Sequence, residues 1–450
     1  MRFSGFDPLL AHWAETAPDA PALRFPGRNG ELRTLSYAGL RAAVEERAAV
    51  LRESGKSCLG LFCENSPEAV IEFFASVAAG MQVVMLDPSE DCGDRIACAD
   101  VDQLWGDPDL TDELRGALTS GVTDGAGRIL FFTSGTTERQ KAVVLTEQSL
   151  CASAYNGGAM LPLSPEDTLL CVLPLNHVFG FVCGLLWGLS CGACVALGRG
   201  LRHLLEDFAL LKPTAVSVVP MLLGFLLKYN AINPELRLIL VGAGDCPPPL
   251  IAAANARGLR VSFGYGLTET SSGVAISVEG DPFAMAVCPD DTITLAEDGE
   301  ILIHAPTCMM QGYYKRPEAT AAVLIDGVLH TGDLGRFDED GKLHITGRKK
   351  DMLVLSDGTK LFLPEYEAEI ARFLGAEDLA VVLYHGRPLL ALHGAGEERE
   401  ILDRLRPFQE KRPRGQQLSG IRLFADPLPR TATGKIMRWE IQQILEKEED

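Results

Sequence analysis

Positive charge is scarce in this chain of 450 residues: 41 Lys and Arg stand against 61 Asp and Glu, a formal net charge of −20. That balance favours solubility and argues against non-specific attraction to nucleic acid or to anionic membranes. A second metal-type cysteine pair is also missing. The 12 cysteines are irregularly placed, many inside apolar runs, and Cys191-Gly-Ala-Cys194 stands alone as a CxxC. Zinc ligation is therefore disfavoured, and structural thiols in a reducing cytosol are expected. Charged residues are absent from Thr168 to Gly198. Pro174, Asn176, His177 and a scatter of glycines and cysteines interrupt that span, so a buried strand, a helix and a second strand fit better than a transmembrane helix. The N-terminus, MRFSGFDPLLAHWAE, has no signal-peptide pattern, so a cytoplasmic protein is expected. A Walker loop is missing too, since GxxxxGK[ST] occurs nowhere.

What is present is enough apolar material, 47% of residues, for a large core and more than one domain. Leu9 to Glu15 and Tyr37 to Ser54 have helical periodicity, with a hairpin-like stretch between them from Leu23 to Ser36. Cys58 to Cys63 reads as a strand, Pro67 to Ala79 as a helix and Gln82 to Leu86 as a strand. This βαβ rhythm predicts a mostly parallel sheet covered by helices.

The most informative stretch is Ile129 to Thr146, ILFFTSGTTERQKAVVLT. A short apolar strand runs into Thr133, Ser134, Gly135, Thr136 and Thr137. Hydroxyls and backbone N–H groups around a flexible glycine suit an anion such as phosphate, and Lys141 can add a point charge. Val143 to Leu145 reads as a second strand, with Thr146 as N-cap of a helix from Glu147 to Tyr155. Further on, LILVGAGDCPPPL is a strand followed by a turn in which Gly242 and Gly244 let backbone approach a flat ligand. VSFGYGLTET is a strand delivering an aromatic ring, Tyr265, then Gly266, Thr268 and Glu269. A hydroxyl and a carboxylate there suit a phosphate and Mg²⁺. His330 to Leu334 carries Asp333, read as lying at a strand end, where a carboxylate can accept two ribose hydroxyls. Ile345 to Asp351 carries Arg348, whose planar fork can reach ribose or phosphate. LPRTATGKIMR, near the C-terminus, places Gly434 and Lys435 before a helix from Trp439 to Glu446.

In order and separation these motifs resemble the adenylate-forming superfamily of acyl-CoA synthetases, adenylation domains and luciferases, over residues 10 to 438. The resemblance implies an α/β fold: a large N-terminal domain (1–349) of mostly parallel sheets with a β-barrel-like part, and a small mobile α+β C-terminal domain (350–450). It implies ATP-dependent activation of a carboxylic acid, most like the AMP-forming fatty acyl-CoA synthetases, followed by transfer to CoA or to a carrier-protein phosphopantetheine. By the same resemblance Thr133 to Thr137 and Lys141 hold the β- and γ-phosphates. Thr268 and Glu269 hold the α-phosphate and Mg²⁺, with Lys435 catalytic. Gly242, Ala243, Gly244, Tyr265 and Gly266 border the adenine and the reacting carboxylate. Asp333 and Arg348 take the ribose, His177 and Phe179 border the acyl channel, and Lys350 is the hinge.

The chain departs from the family pattern where Glu138-Arg139-Gln140-Lys141-Ala142 replaces a glycine-rich continuation. A nucleotide-binding homologue without catalysis is accordingly a second reading. Apolar stretches at residues 178–187 and 218–227 point to a fatty or otherwise hydrophobic acid. From Arg406 to Arg438 eight Lys or Arg face only Glu410 and Asp426, a basic island suited to the 3′-phosphate of CoA or to an acidic carrier protein.

Overall fold

A computed structural model describes every residue except 28, 91, 107–111, 123–125, 134–139, 245, 355–359, 377, 395, 431–435 and 448–450. The chain divides into two compact units. One comprises Met1–Phe132, Ala142–Thr331 and Gly335–Ile345. The other comprises Thr133–Lys141, Gly332–Leu334 and Thr346–Asp450.

The first unit is built on two sheets that are parallel at their centres. In the nine-stranded sheet, Leu238–Val241 lies between Ala215–Val218 and Arg260–Leu267, parallel to both. Thr168–Cys171, Cys194–Leu197 and Pro21–Pro26 extend the parallel run. Antiparallel strands Leu32–Ser36 and Ser272–Ile276 flank it. In the six-stranded sheet, Gln103–Trp105, Cys58–Phe62, Gln82–Leu86 and Ile129–Phe132 run parallel. Ala142–Leu145 and Gly312–Tyr313 then add antiparallel strands. The central strands are buried along their whole length, which is why they read as continuous apolar runs and not as alternating ones.

Capping residues set where the covering helices start. Ser36 accepts a hydrogen bond from the Gly39 amide at 3.2 Å to open Tyr37–Glu53, whose Leu40, Val44, Ala48 and Leu51 form the buried stripe. Ser66 caps Pro67–Ala78, with proline in the first turn. Thr146 and Ser149 form a reciprocal capping box that opens Glu147–Met160, longer than the expected helix by more than a turn. The charge-free stretch folds as strand, helix and strand, its helical part containing a π-helical segment, Val182–Leu186. No helix among the described residues is long and apolar enough to cross a membrane. A five-stranded sheet, including Thr292–Leu295, Glu300–His304 and Val328–Phe337, supplies the further β-rich part.

The second unit carries an α+β core. Leu379–Tyr384, Arg387–His393 and Ile421–Phe424 form a three-stranded sheet. Leu363–Leu374 and Glu398–Glu410 supply Tyr366, Ile370, Leu405 and Phe408 to the cluster around Val381. A hairpin of Met352–Val354 and Lys360–Phe362 precedes them.

Candidate active site

Parallel strands lead into the residues expected to bind ligand at their carboxyl ends, where open α/β sheets bind ligands. Leu238–Val241 ends at Gly242, whose amide donates to the Val218 carbonyl at 3.2 Å. Ala243 follows with φ +61°, a left-handed conformation that costs a non-glycine residue energy and recurs at functional turns. A β-carbon on Gly242 would stand 2.9 Å from Cζ of Phe179, whereas one on Gly244 would meet only Pro220, at 3.6 Å. Phe179 and the Gly242 turn are therefore brought together. His177 precedes Phe179 as N-cap of Val178–Phe181. Burial pushes its imidazole below the usual 6.5, with Asp87 pulling the other way. Asp87 is fixed in turn by the Asn176 side-chain amide, which donates to it at 3.1 Å.

Arg260–Leu267 carries Tyr265 and Gly266 and then tightens into a 3₁₀ turn, Thr268–Thr270. Gly266 is irreplaceable on steric grounds, because a β-carbon there would stand 1.7 Å from the Ser272 carbonyl oxygen. Thr270 is fully buried. It accepts a bond from the Leu267 amide at 3.0 Å and donates to the Ser272 carbonyl at 2.9 Å. Ser271 and Ser272 both have positive φ, +54° and +114°, and the chain turns back on itself there.

A segment that reads in the sequence only as an alternating strand and a turn, Glu300 to Arg316, holds this turn. The Met310 amide donates to the Glu269 carbonyl at 2.8 Å, and Ser271 Oγ donates to the Cys308 carbonyl at 2.7 Å. The Tyr313 phenol donates to Glu269 Oε1 at 2.7 Å. The available signal was Gly312-Tyr313: a buried tyrosine needs a partner for its hydroxyl. Glu269 Oε2 has no hydrogen-bond or ion-pair partner among the described residues. No group of three or more His, Cys, Asp or Glu among those residues is placed to cage a metal. A half-buried glutamate with one uncommitted oxygen fits Mg²⁺, which is commonly held by one or two carboxylates together with waters and substrate phosphates.

In the second unit, residues flanking two of the undescribed spans pair with each other. The Thr133 amide donates to the Lys141 carbonyl at 3.0 Å, and the Lys141 amide donates to Thr133 Oγ1 at 3.2 Å. Ser134, Gly135, Thr136 and Thr137 lie outside the described residues. Likewise Arg430 and Ile436 form an antiparallel bridge around 431–435, and the Met437 amide donates to the Pro429 carbonyl at 2.8 Å. Lys435 also lies outside the described residues. Asp333 and Arg348 meet in an ion pair at 2.8 Å, with Asp333 only 2% exposed. Asp333 is not at a strand end: it sits inside the ten-residue strand Val328–Phe337. Gly332, at φ +70°, bends the strand just before it without ending it. Lys350 follows in a short 3₁₀ turn, Lys349–Asp351.

The basic island is less basic than its local count. Arg406 pairs with Asp403, Arg412 with Glu369, Arg430 with Asp378, and Arg438 with Glu367 at 2.7 Å. Arg412 also lies over the Phe408 ring, 4.3 Å from its centroid. These acids all precede the counted window in sequence, so counting charge along the chain missed them. The cysteines are free thiols, and burial pushes Cys171 up to about 12, which keeps it protonated and unreactive.

The sequence profile of the AMP-binding enzyme family matches residues 10–95 and 125–314. Feruloyl-CoA synthase of an Amycolatopsis species is 30% identical over 98% of this chain and 99% of its own length. Indoleacetate–CoA ligase of Aromatoleum aromaticum is 29% identical over 97% of this chain and 98% of its own. The 2-succinylbenzoate–CoA ligase of Bacillus velezensis is 28% identical over 97% of each. Among solved structures, the o-succinylbenzoate CoA synthetase of Bacillus subtilis, in complex with its acyl-adenylate intermediate, superposes with a TM-score of 0.83. It is 23% identical, over 96% of this chain and 97% of that one. That likeness is one of fold; the family profile and the 30% identical relative establish that the chain belongs to the AMP-binding enzymes of the adenylate-forming superfamily.

Proposed function

We propose that this protein is an AMP-forming acid–CoA ligase: it condenses a carboxylic acid with ATP to give an acyl-AMP and pyrophosphate, then passes the acyl group to the thiol of CoA. The observation that carries this reading is end-to-end similarity to CoA ligases, joined to a strand-end turn that presents Thr268 and the half-committed carboxylate of Glu269. The carboxylate attacks the α-phosphorus in line and diphosphate leaves. Both reactants are anionic, so the protein's task is positioning and charge neutralisation. Thr133 to Thr137 and Lys141 receive the β- and γ-phosphates, Thr268 the α-phosphate, and Asp333 with Arg348 the ribose. Bound Mg²⁺ supplies charge neutralisation on the phosphates, with Glu269 as its protein ligand. Lys435 neutralises charge developing at the α-phosphate. Residues 350–450 act as a mobile lid that turns about Lys350 between the two half-reactions.

The acid has a hydrophobic body. Phe179 against Gly242 offers an apolar wall, and Val178 and Phe179 supply no carboxylate for a substrate amine. The sequence pointed to fatty chains. The relatives' names, indoleacetate, ferulate and 2-succinylbenzoate, favour a compact ring-bearing acid within the same hydrophobic class. CoA is favoured over a carrier protein as acceptor, because every relative described above is named for CoA and four arginines of the basic island are already paired internally.

Pyrophosphate release with Mg²⁺, ATP and a panel of straight-chain and aromatic acids tests the reading, followed by thioester formation with CoA or with phosphopantetheinylated carrier protein. Release with at least one hydrophobic acid, and thioester with CoA, is expected. ATP binding with no pyrophosphate from any acid would leave a non-catalytic nucleotide-binding homologue.

A further inference from the structure

We propose that Tyr313 is a positioning residue for the metal, acting through Glu269; this rests on the reading of Glu269 as the Mg²⁺ ligand. Tyr313 is fixed along its whole length. Its strand, Gly312–Tyr313, pairs antiparallel with Val143 and Val144. Its amide donates to Thr320 Oγ1 at 2.9 Å, and Thr320 also crowds Gly312, where a β-carbon would lie 3.0 Å from Thr320 Cγ2. The ring is 8% exposed. The flanking Gln311 and Tyr314 amides donate to the Val144 and Ala142 carbonyls at 2.9 and 2.8 Å. A phenol anchored this way has little freedom to follow Glu269, so Glu269 must come to it. The same segment grips the Glu269 backbone, through the Met310 amide, so both ends of the glutamate are held by residues 310–313.

The chemical consequence concerns which oxygen remains. The phenol takes one acceptor site of Oε1 at 2.7 Å, and Oε2 is the oxygen that the glutamate presents with no partner among the described residues. A cation is then bound through one oxygen, the mode a small octahedral ion accepts, whereas larger Ca²⁺ often takes carboxylates through both oxygens. Partners that orient a ligating carboxylate typically contribute 10- to 100-fold to metal affinity. Tyr313 thus stands 44 residues from Glu269 in sequence and acts on the metal without touching it.

The test uses the full-length protein with ATP and Mn²⁺ as a paramagnetic substitute for Mg²⁺, reading bound Mn²⁺ by electron paramagnetic resonance. Tyr313→Phe removes one hydroxyl and keeps the ring. It is expected to weaken Mn²⁺ binding in the presence of ATP by about tenfold or more, with a thermal midpoint close to that of the parent. Glu269→Gln and the double variant Glu269→Gln/Tyr313→Phe should bind Mn²⁺ equally, because Tyr313 has nothing left to orient. Affinity of Tyr313→Phe within about twofold of the parent overturns the proposal, as do losses that simply add in the double variant. If Tyr313→Phe does not fold, Glu269→Asp withdraws the carboxylate from the phenol at constant charge. The same tenfold loss is expected there, and parent-like affinity overturns the proposal. A parent protein that binds no Mn²⁺ with ATP overturns both this inference and the ligase reading beneath it.

Discussion

Gly242 and Phe179 approach so closely that a β-carbon on the glycine would stand 2.9 Å from the ring's Cζ and 3.1 Å from Cε2. Gly244, two residues on, has room: its nearest neighbour would be 3.6 Å away. The two glycines therefore serve different ends. Gly242→Ala should destabilise the protein by about 1–3 kcal/mol through overpacking, and adding Phe179→Leu should recover part of that loss in urea unfolding. Gly244→Ala should change stability by less than about 1 kcal/mol while weakening acyl-AMP binding, measured with a non-hydrolysable analogue. Unchanged binding would mean that no ligand comes near Gly244.

Asp333 belongs to a different pairing. Its carboxylate is almost fully buried and lies 2.8 Å from Arg348 Nε, while the arginine side chain is 46% exposed. An arrangement of this kind can orient a carboxylate towards ribose hydroxyls at little structural gain, because half-exposed ion pairs contribute little to stability. Asp333→Asn is expected to lower ATP affinity about tenfold in calorimetric titration, the worth of about one charge-assisted hydrogen bond. Affinity unchanged by the substitution would remove Asp333 from the nucleotide site.

A pH dependence of folding should arise beneath the Glu269 turn. Asp291 is 8% exposed, and its Oδ2 accepts from the Asn156 side-chain amide at 2.9 Å. Asn156 also reaches the sulfur of Cys308, whose carbonyl holds Ser271. Burial pushes the Asp291 carboxyl up to about 7 from 3.8, and neighbouring Asp290 adds to it, against the Asn156 hydrogen bond and the more distant Arg2. Between these two values the folded state binds the proton and the unfolded state does not. Stability from this group is therefore present at low pH and lost as pH rises through about 7. Asp291→Asn should flatten that slope and raise stability at pH 8 by on the order of 2 kcal/mol, read from urea midpoints across pH. An unaltered pH slope in the variant would show that Asp291 is ionised throughout.

Local signals were enough for the elements that frame the site. Apolar runs bounded by turn residues located Ile129–Phe132 and Gln82–Leu86, and the hydroxyl of Thr146 located the following helix start. What lay beyond reach depended on pairing at a distance. Nothing local distinguishes the parallel centre of each sheet from its antiparallel edges. Nor does anything near Glu269 announce that a tyrosine from another strand will occupy one of its oxygens. The charge count over the basic island missed its paired acids for the same reason: Glu367, Glu369 and Asp378 are remote in sequence from the arginines they pair with. Asp333 was misplaced within its strand because Gly332 reads as a terminator, whereas here it bends a strand that continues to Phe337.

Lys435 separates the proposed two-conformation ligase from a single-conformation one. Residues on either side of it are anchored within the C-terminal unit. Arg430 pairs with Asp378 at 2.5 Å, and Arg438 reaches Glu367 at 2.7 Å and Asp351, next to Lys350, at 3.5 Å. A substitution at Lys435 leaves these anchors in place, so its effect should be on chemistry and not on folding. Removing a group that neutralises transition-state charge costs about 100-fold or more in rate. Lys435→Ala is therefore expected to slow pyrophosphate release by at least about that factor. Thioester formation from preformed acyl-AMP and CoA should stay within about threefold of the parent, a difference of under 1 kcal/mol, because the proposed rotation withdraws the lysine before that step. Equal loss in both half-reactions would mean that Lys435 stays at the reacting centre throughout, and the rotation about Lys350 would have to be abandoned.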